Sequence, residues 1–160
     1  DDENVEIIAL GARGLGDGNP GNDIILFSLN GDATLDGKSF DRGEVIQFNG
    51  STYESLFNAN DILSPPSNLE LDCLAVLPEP DQRLLLSFEI DSVTGSKGED
   101  GEDGEDIHSQ DIAIWDPGED GIPNTGDDTI NLHISMSALS APDVDIPLTV
   151  RIINWEINLQ

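Results

Sequence analysis

The apolar residues of this chain fall in short runs, not in helical stripes. No long stretch repeats apolar positions every three to four residues, so helix signals are nearly absent. Runs of Ile, Leu, Val and Phe instead stand between Gly, Asn, Asp and Pro, which is the pattern of strands and turns. "VEIIAL" from Val5, "DIILFSL" from Asp23, "EVIQFNG" from Glu44 and "TYESLF" from Thr52 are the first four. "LDCLAV" from Leu71, "QRLLLSF" from Gln82, "DIAIWDP" from Asp111 and "TINLHI" from Thr129 follow.

The second four repeat the first four in order. Val5 aligns with Leu71 in runs that both read apolar, acid, any, aliphatic, Ala, aliphatic. The second runs close on Ser28 and Ser87, and their continuous apolar character predicts strands buried on both faces. The third pair alternates, carries an aromatic near its end (Phe48, Trp115) and is followed by a turn. Thr52 aligns with Thr129 in the fourth pair. Four matches in one order indicate duplication. We therefore expect one all-β domain over residues 1–160. Its first repeat covers about 4–68 and its second about 69–139. Strands in 140–160 follow, with Pro147 at an edge or a bulge. Duplicated four-stranded units predict a β-sandwich or barrel, with propeller-like blades as the alternative. Two blades would not close a ring.

"DATLDGKSFDRGEVIQFNGSTYESLFNANDI" and "LELDCLAVLPEPDQRLLLSF" resemble a tandem β repeat of secreted, mostly uncharacterised bacterial proteins. The likeness runs over about residues 4–139 and departs from the repeat's usual Pro-Asp-Gly turn at "LPEPDQ". It implies an extracellular, secreted or cell-surface β protein and implies no activity.

Charge narrows the partners. The 33 acids and 6 bases among 160 residues give a formal net charge of −27. Such a chain repels nucleic acid and anionic membrane surfaces, and it repels itself. Bound cations or high external salt would relieve that repulsion. The apolar runs, with 37% of residues hydrophobic, argue against disorder. No window reaches the roughly 18 to 20 apolar residues of a membrane span. No signal peptide is seen, and the opening "DDEN" suits a mature secreted chain or a cytosolic one. Cys73 is the single cysteine, so no disulfide forms within the chain. Its apolar run predicts a buried, inert thiol.

The acids concentrate in loops. "WDPGEDGIPNTGDD", Trp115 to Asp128, holds five acids in fourteen residues. Calcium takes about six to eight hard oxygens at about 2.3–2.6 Å. Counted from Asp116, the stretch places Gly118 at position 3, Asp120 at 5, Gly121 at 6, Ile122 at 7, Asn124 at 9 and Asp127 at 12, with Asp128 next. The phasing resembles an EF-hand calcium loop, with Gly in place of the acid at 3, the shorter Asp at 12 and strands where helices would flank it. A calcium-type loop across a β-hairpin is the expectation, and a solvated acidic loop is the plain alternative. "KGEDGEDGEDIH" repeats every three residues and sets Asp100, Asp103 and Asp106 in register, as a second calcium candidate or a disordered run. "GDGNPGND" offers Asp17, Asn19 and Asp23 as a third.

Catalytic signatures are missing: there is no Gly-x-Ser-x-Gly elbow, His-Glu-x-x-His helix or phosphate-binding Gly loop. Two histidines, His108 and His133, are too few for ordinary zinc chemistry, and His133 reads as a plain strand residue. No enzyme is expected. Trp115 and Trp155 read as core or interface residues, and an aromatic content of 5% is low for a sugar-binding face. The expectation is a non-enzymatic, extracellular, calcium-binding structural protein. It would self-associate through terminal or edge strands (Val5 to Leu10, Leu148 to Leu159) into a surface layer or filament. A calcium-dependent carbohydrate-binding module is the alternative.

Overall fold

The computed structural model describes residues 5–14, 23–63, 69–78, 82–89, 93–96 and 104–136. The repeat appears as two sheets. In the first unit, strands β1 (Ile7–Arg13) and β2 (Ile24–Leu29) are followed by a short hairpin, β3 (Ala33–Leu35) and β4 (Lys38–Phe40). Strands β5 (Glu44–Phe48) and β6 (Tyr53–Asn58) complete the unit, and one helical turn, α1 (Ala59–Ile62), leads out of it. The second unit has the same plan: β7 (Leu71–Val76), β8 (Leu84–Phe88), a hairpin of β9 (Val93–Thr94) and β10 (Asp106–Ile107), then β11 (Ile112–Asp116) and β12 (Thr129–Ile134). Each unit folds as a four-stranded antiparallel sheet, in the orders β1-β2-β5-β6 and β7-β8-β11-β12. The two sheets pack together, with β1 against β7, and neither sheet closes. The duplicated all-β expectation holds in its sandwich form, and no barrel forms.

Two short features were not anticipated. The β3–β4 hairpin turns on Asp36 and Gly37, both at positive φ (49° and 78°), the two-residue turn that an Asp-Gly pair favours. The helical turn α1 is capped by Asn58, whose side-chain oxygen accepts from the Asn60 N–H.

Strand pairing reproduces the sequence repeat. Ile25 pairs with Phe48 in the first sheet, and Leu84 pairs with Trp115 in the second. Phe48 pairs with Tyr53, and Trp115 pairs with Ile130. The last hairpins also share a bulge, with Leu56 and His133 as the extra residues at matching positions. The first strands differ from the alignment. Ile7 faces Leu29 and Leu71 faces Phe88, so Ile7, not Val5, is the counterpart of Leu71. A slide of two residues keeps every side chain on its face, so an alternating pattern does not register it.

Although register is shared, orientation is not. Leu26, Val45 and Phe57 of the first sheet join Leu84, Leu86, Ala113, Trp115 and Ile130 of the second in one core between the sheets. Phe27, Leu29 and Ile46 belong to a smaller cluster on the outer side of the first sheet, with Phe48 and Tyr53 against it. Yet Phe27 is the register counterpart of Leu86, and Phe48 of Trp115. The two units therefore turn opposite faces to their common core. The hairpins agree: Phe40 of the first lies in the outer cluster, whereas Ile107 of the second lies in the shared core.

Close approach of the sheets depends on Gly11. A Cβ there would lie 2.7 Å from Val76 Cγ2. Two expectations are corrected by the face on which each strand residue stands. Cys73 is exposed, because a bulge at Asp72 lets Leu71 and Leu74 both take inner positions of β7 and puts Cys73 on the outer side. The β8 run is buried on one face only: Leu84, Leu86 and Phe88 are buried while Leu85 and Ser87 are half-exposed. In β2, by contrast, Leu26 to Leu29 are all buried, because the β3–β4 hairpin helps to cover the outer side.

Candidate functional site

The acidic loop joins β11 to β12 and is built from short-range turns. Asp116 Oδ1 accepts from the Gly118 N–H at 3.0 Å, and Asp120 Oδ1 accepts from the Ile122 N–H at 2.7 Å. Both are side-chain turns of the kind that Asp forms two residues ahead of itself. Gly118, Gly121 and Asn124 take positive φ (75°, 63° and 64°). Residue 118 must be glycine for a second reason, since a Cβ there would lie 2.3 Å from Asp127 Oδ2.

Asp127 closes the loop from the other side. Its Oδ2 accepts from the Glu119 N–H at 3.0 Å and the Asp120 N–H at 3.5 Å, and its Oδ1 accepts from the Thr125 hydroxyl at 2.5 Å. These donors, with the Thr125 hydroxyl foremost, hold the Asp127 carboxyl below its ordinary range. Asp128 turns toward the core and shares the Thr125 hydroxyl with Asp127. It is buried at 8% exposure, and its Oδ2 accepts from Trp115 Nε1 at 3.2 Å and from the Asn124 N–H at 2.9 Å. Its Oδ1 accepts from the Thr125 N–H at 3.3 Å. The loop is thereby pinned to the core through the indole of Trp115, the one polar atom of that ring.

Of the residues expected to bind calcium, Asp116, Gly118, Asp120, Ile122, Asn124, Asp127 and Asp128 thus share this loop, and backbone donors engage all four of its Asp carboxylates. Asp106 stands apart on β10, where its Oδ1 accepts from the Thr94 hydroxyl. Asp23 is half-buried just before β2. Asp100, Asp103, Asp17 and Asn19 lie outside the described residues, as do Trp155 and the 140–160 strands. Among the described residues, no group of three or more His, Cys, Asp or Glu side chains is placed to hold a metal ion. Trp115 is fully buried and stacked on Phe57, so it offers no face to a sugar. His133 is an exposed strand residue of β12.

Sequence reasoning passed over the outer sides of the two sheets. On the first, Ile7, Leu10 and Ile25 are 57%, 64% and 41% exposed. Ile7 and Ile25 line an open apolar groove with Phe27, Leu35, Phe48 and Tyr53. On the second, Cys73, Ala75, Leu85 and Ile112 line another. Within Val5 to Leu10, β1 begins at Ile7, pairs with β2 and stands at the edge of the first sheet. Among the described residues no helix is long and apolar enough to cross a membrane. Searches of family models, curated proteins and solved structures found no match to this chain.

Proposed function

We propose that this chain is a non-enzymatic structural module that works by self-association through the faces of its sheets. The extracellular setting is the one that its resemblance to a secreted tandem repeat implies. One observation carries the reading. The outer side of the first sheet presents Ile7, Leu10 and Ile25 to solvent beside an apolar groove, in a chain of net charge −27. A chain this acidic has many polar residues with which to cover a sheet, and contiguous exposed apolar surface marks an interaction site. Calcium enters the proposal as a counterion that screens the acidic loops and lets copies approach. Sedimentation velocity from micromolar to millimolar protein, in low salt and with calcium, tests it. We expect larger species to grow with concentration and to form at lower concentration when calcium is present. A monomer under every condition would overturn the assignment.

A further inference from the structure

We propose that the outer face of the first sheet binds the outer face of the second sheet of another copy, front to back, in the register of the internal sheet–sheet interface. This rests on the self-association reading above and names its geometry and its partner, a second copy of this chain.

The argument is one of equivalence. Both units have the same strand order and the same pairing register, yet opposite faces meet in the core. The outer side of the first sheet is therefore the counterpart of the inner side of the second. The outer side of the second is likewise the counterpart of the inner side of the first. Ala75, Leu85 and Ile112 on the outer second face match Gly11, Leu26 and Val45 on the inner first face. Leu26 and Val45 are fully buried between the sheets. Each open face thus has the apolar character of a face that this chain already buries against the other.

Specific contacts follow by carrying internal pairs across. Inside the chain, Phe57 stacks on Trp115, with ring centroids 4.5 Å apart. The counterpart of Phe57 is Ile134, which is 39% exposed, and that of Trp115 is Phe48, on the outer groove. Ile134 of one copy should therefore meet Phe48 of the next. Likewise Gly11 lies against Leu74 and Val76. Their counterparts put Ala75 of one copy beside Leu10 and Ala12 of the next. The β3–β4 hairpin does not block this approach, because its counterpart, β9–β10, sits on the matching side of the internal interface. Such a contact joins different surfaces, so it is heterologous and propagates until a ring closes or a fibre grows.

The test mixes two single-cysteine chains, both carrying Cys73→Ser because Cys73 is exposed. One carries Leu10→Cys and the other Ala75→Cys. Oxidised glutathione is added at protein concentrations where the wild type associates. We expect covalent dimer from the mixture and little from either variant alone. Dimer from Leu10→Cys alone would mean twofold, face-to-face pairing and would overturn the proposal. Association by sedimentation without any crosslink would overturn it too, while leaving self-association standing. No association at all would remove both. The wild-type thiol gives a second readout. Its counterpart Ala9 is buried in the internal interface. Maleimide labelling of Cys73 should therefore be fast in dilute protein and slow at least tenfold on association. Slow labelling in a dilute monomer would mean that this face is already covered within one copy, and would also overturn the proposal.

Discussion

The indole ring of Trp115 lies nearly flat on the ring of Phe57, with centroids 4.5 Å apart and 12° between planes. This contact joins the two repeats within their shared core, and both residues are fully buried. Offset aromatic pairs add stability beyond the area they bury. Phe57→Ala should therefore cost about 3–5 kcal/mol, as large-to-small core changes do. Chemical denaturation followed by tryptophan fluorescence would measure it. A loss under about 1 kcal/mol would mean that the sheets do not depend on this contact.

Gly11 and Gly31 should respond oppositely to added side chains. Gly11→Val places atoms where Val76 already stands and should destabilise by about 1–3 kcal/mol, by overpacking. Nothing lies within 4 Å of a Cβ at Gly31, and its φ is not positive. Gly31→Ala should be neutral or stabilise by about 0.4–1 kcal/mol through the unfolded chain. Thermal melts of the two variants side by side check the pair.

Asp128, not Asp116 or Asp120, should be the sensitive acid of the loop. Asp128→Asn turns an amide NH2 toward groups that all donate, from Trp115, Asn124 and Thr125. We expect a loss of about 1–3 kcal/mol. Asp120→Asn, at an exposed position, should change stability by less than about 0.5 kcal/mol. Because backbone donors close this loop, a chelator should not unfold it. Calcium should raise the melting temperature, and a monovalent salt at matched ionic strength should reproduce much of the rise. A calcium effect that survives matched salt and vanishes in Asp127→Asn would instead place a specific ion in the loop.

Two carboxyls should give opposite pH signatures. Burial pushes the Glu44 carboxyl above its ordinary 4.5, against hydrogen bonds from the Ser55 hydroxyl and the Asp41 N–H, with Asp41 and Asp61 adding to the rise. A raised folded pKa gives stability that is full below 4.5 and is lost as pH rises through the folded value. Glu44→Gln should thus gain stability relative to wild type as pH climbs from 4 toward neutrality. The Asp127 carboxyl, held below 3.8, contributes above that pH and loses its contribution as pH falls through the folded value. Asp127→Asn should therefore cost more at pH 6 than at pH 2. Melting curves across that range would show the two trends crossing.

Much of this fold was legible in the chain. Short apolar runs with Gly/Asn/Asp punctuation marked the eight long strands, and matched residues marked which strands of the two units correspond, because both properties are local. Pairing order and register within each sheet came from contacts between strands. The β3–β4 hairpin was also readable, from Asp36-Gly37, but was passed over. Of the candidate site, the residues that form the loop were evident, but not the work each carboxylate does. Asp127 and Asp128 are neighbours in sequence, yet one folds back on Glu119 and the other reaches the buried ring of Trp115. Which way each turns depends on contacts made across the folded hairpin.

What only the tertiary structure decided is which face of each sheet turns inward. Phe48 and Trp115 occupy the same place in the repeat, the same strand and the same register. One lies on an outer groove and the other in the centre of the core. Alternation sorts a strand's residues onto two faces and does not rank the faces when both are apolar. The ranking comes from docking one sheet on the other, at Gly11 and at Phe57, and that contact joins residues far apart in the chain.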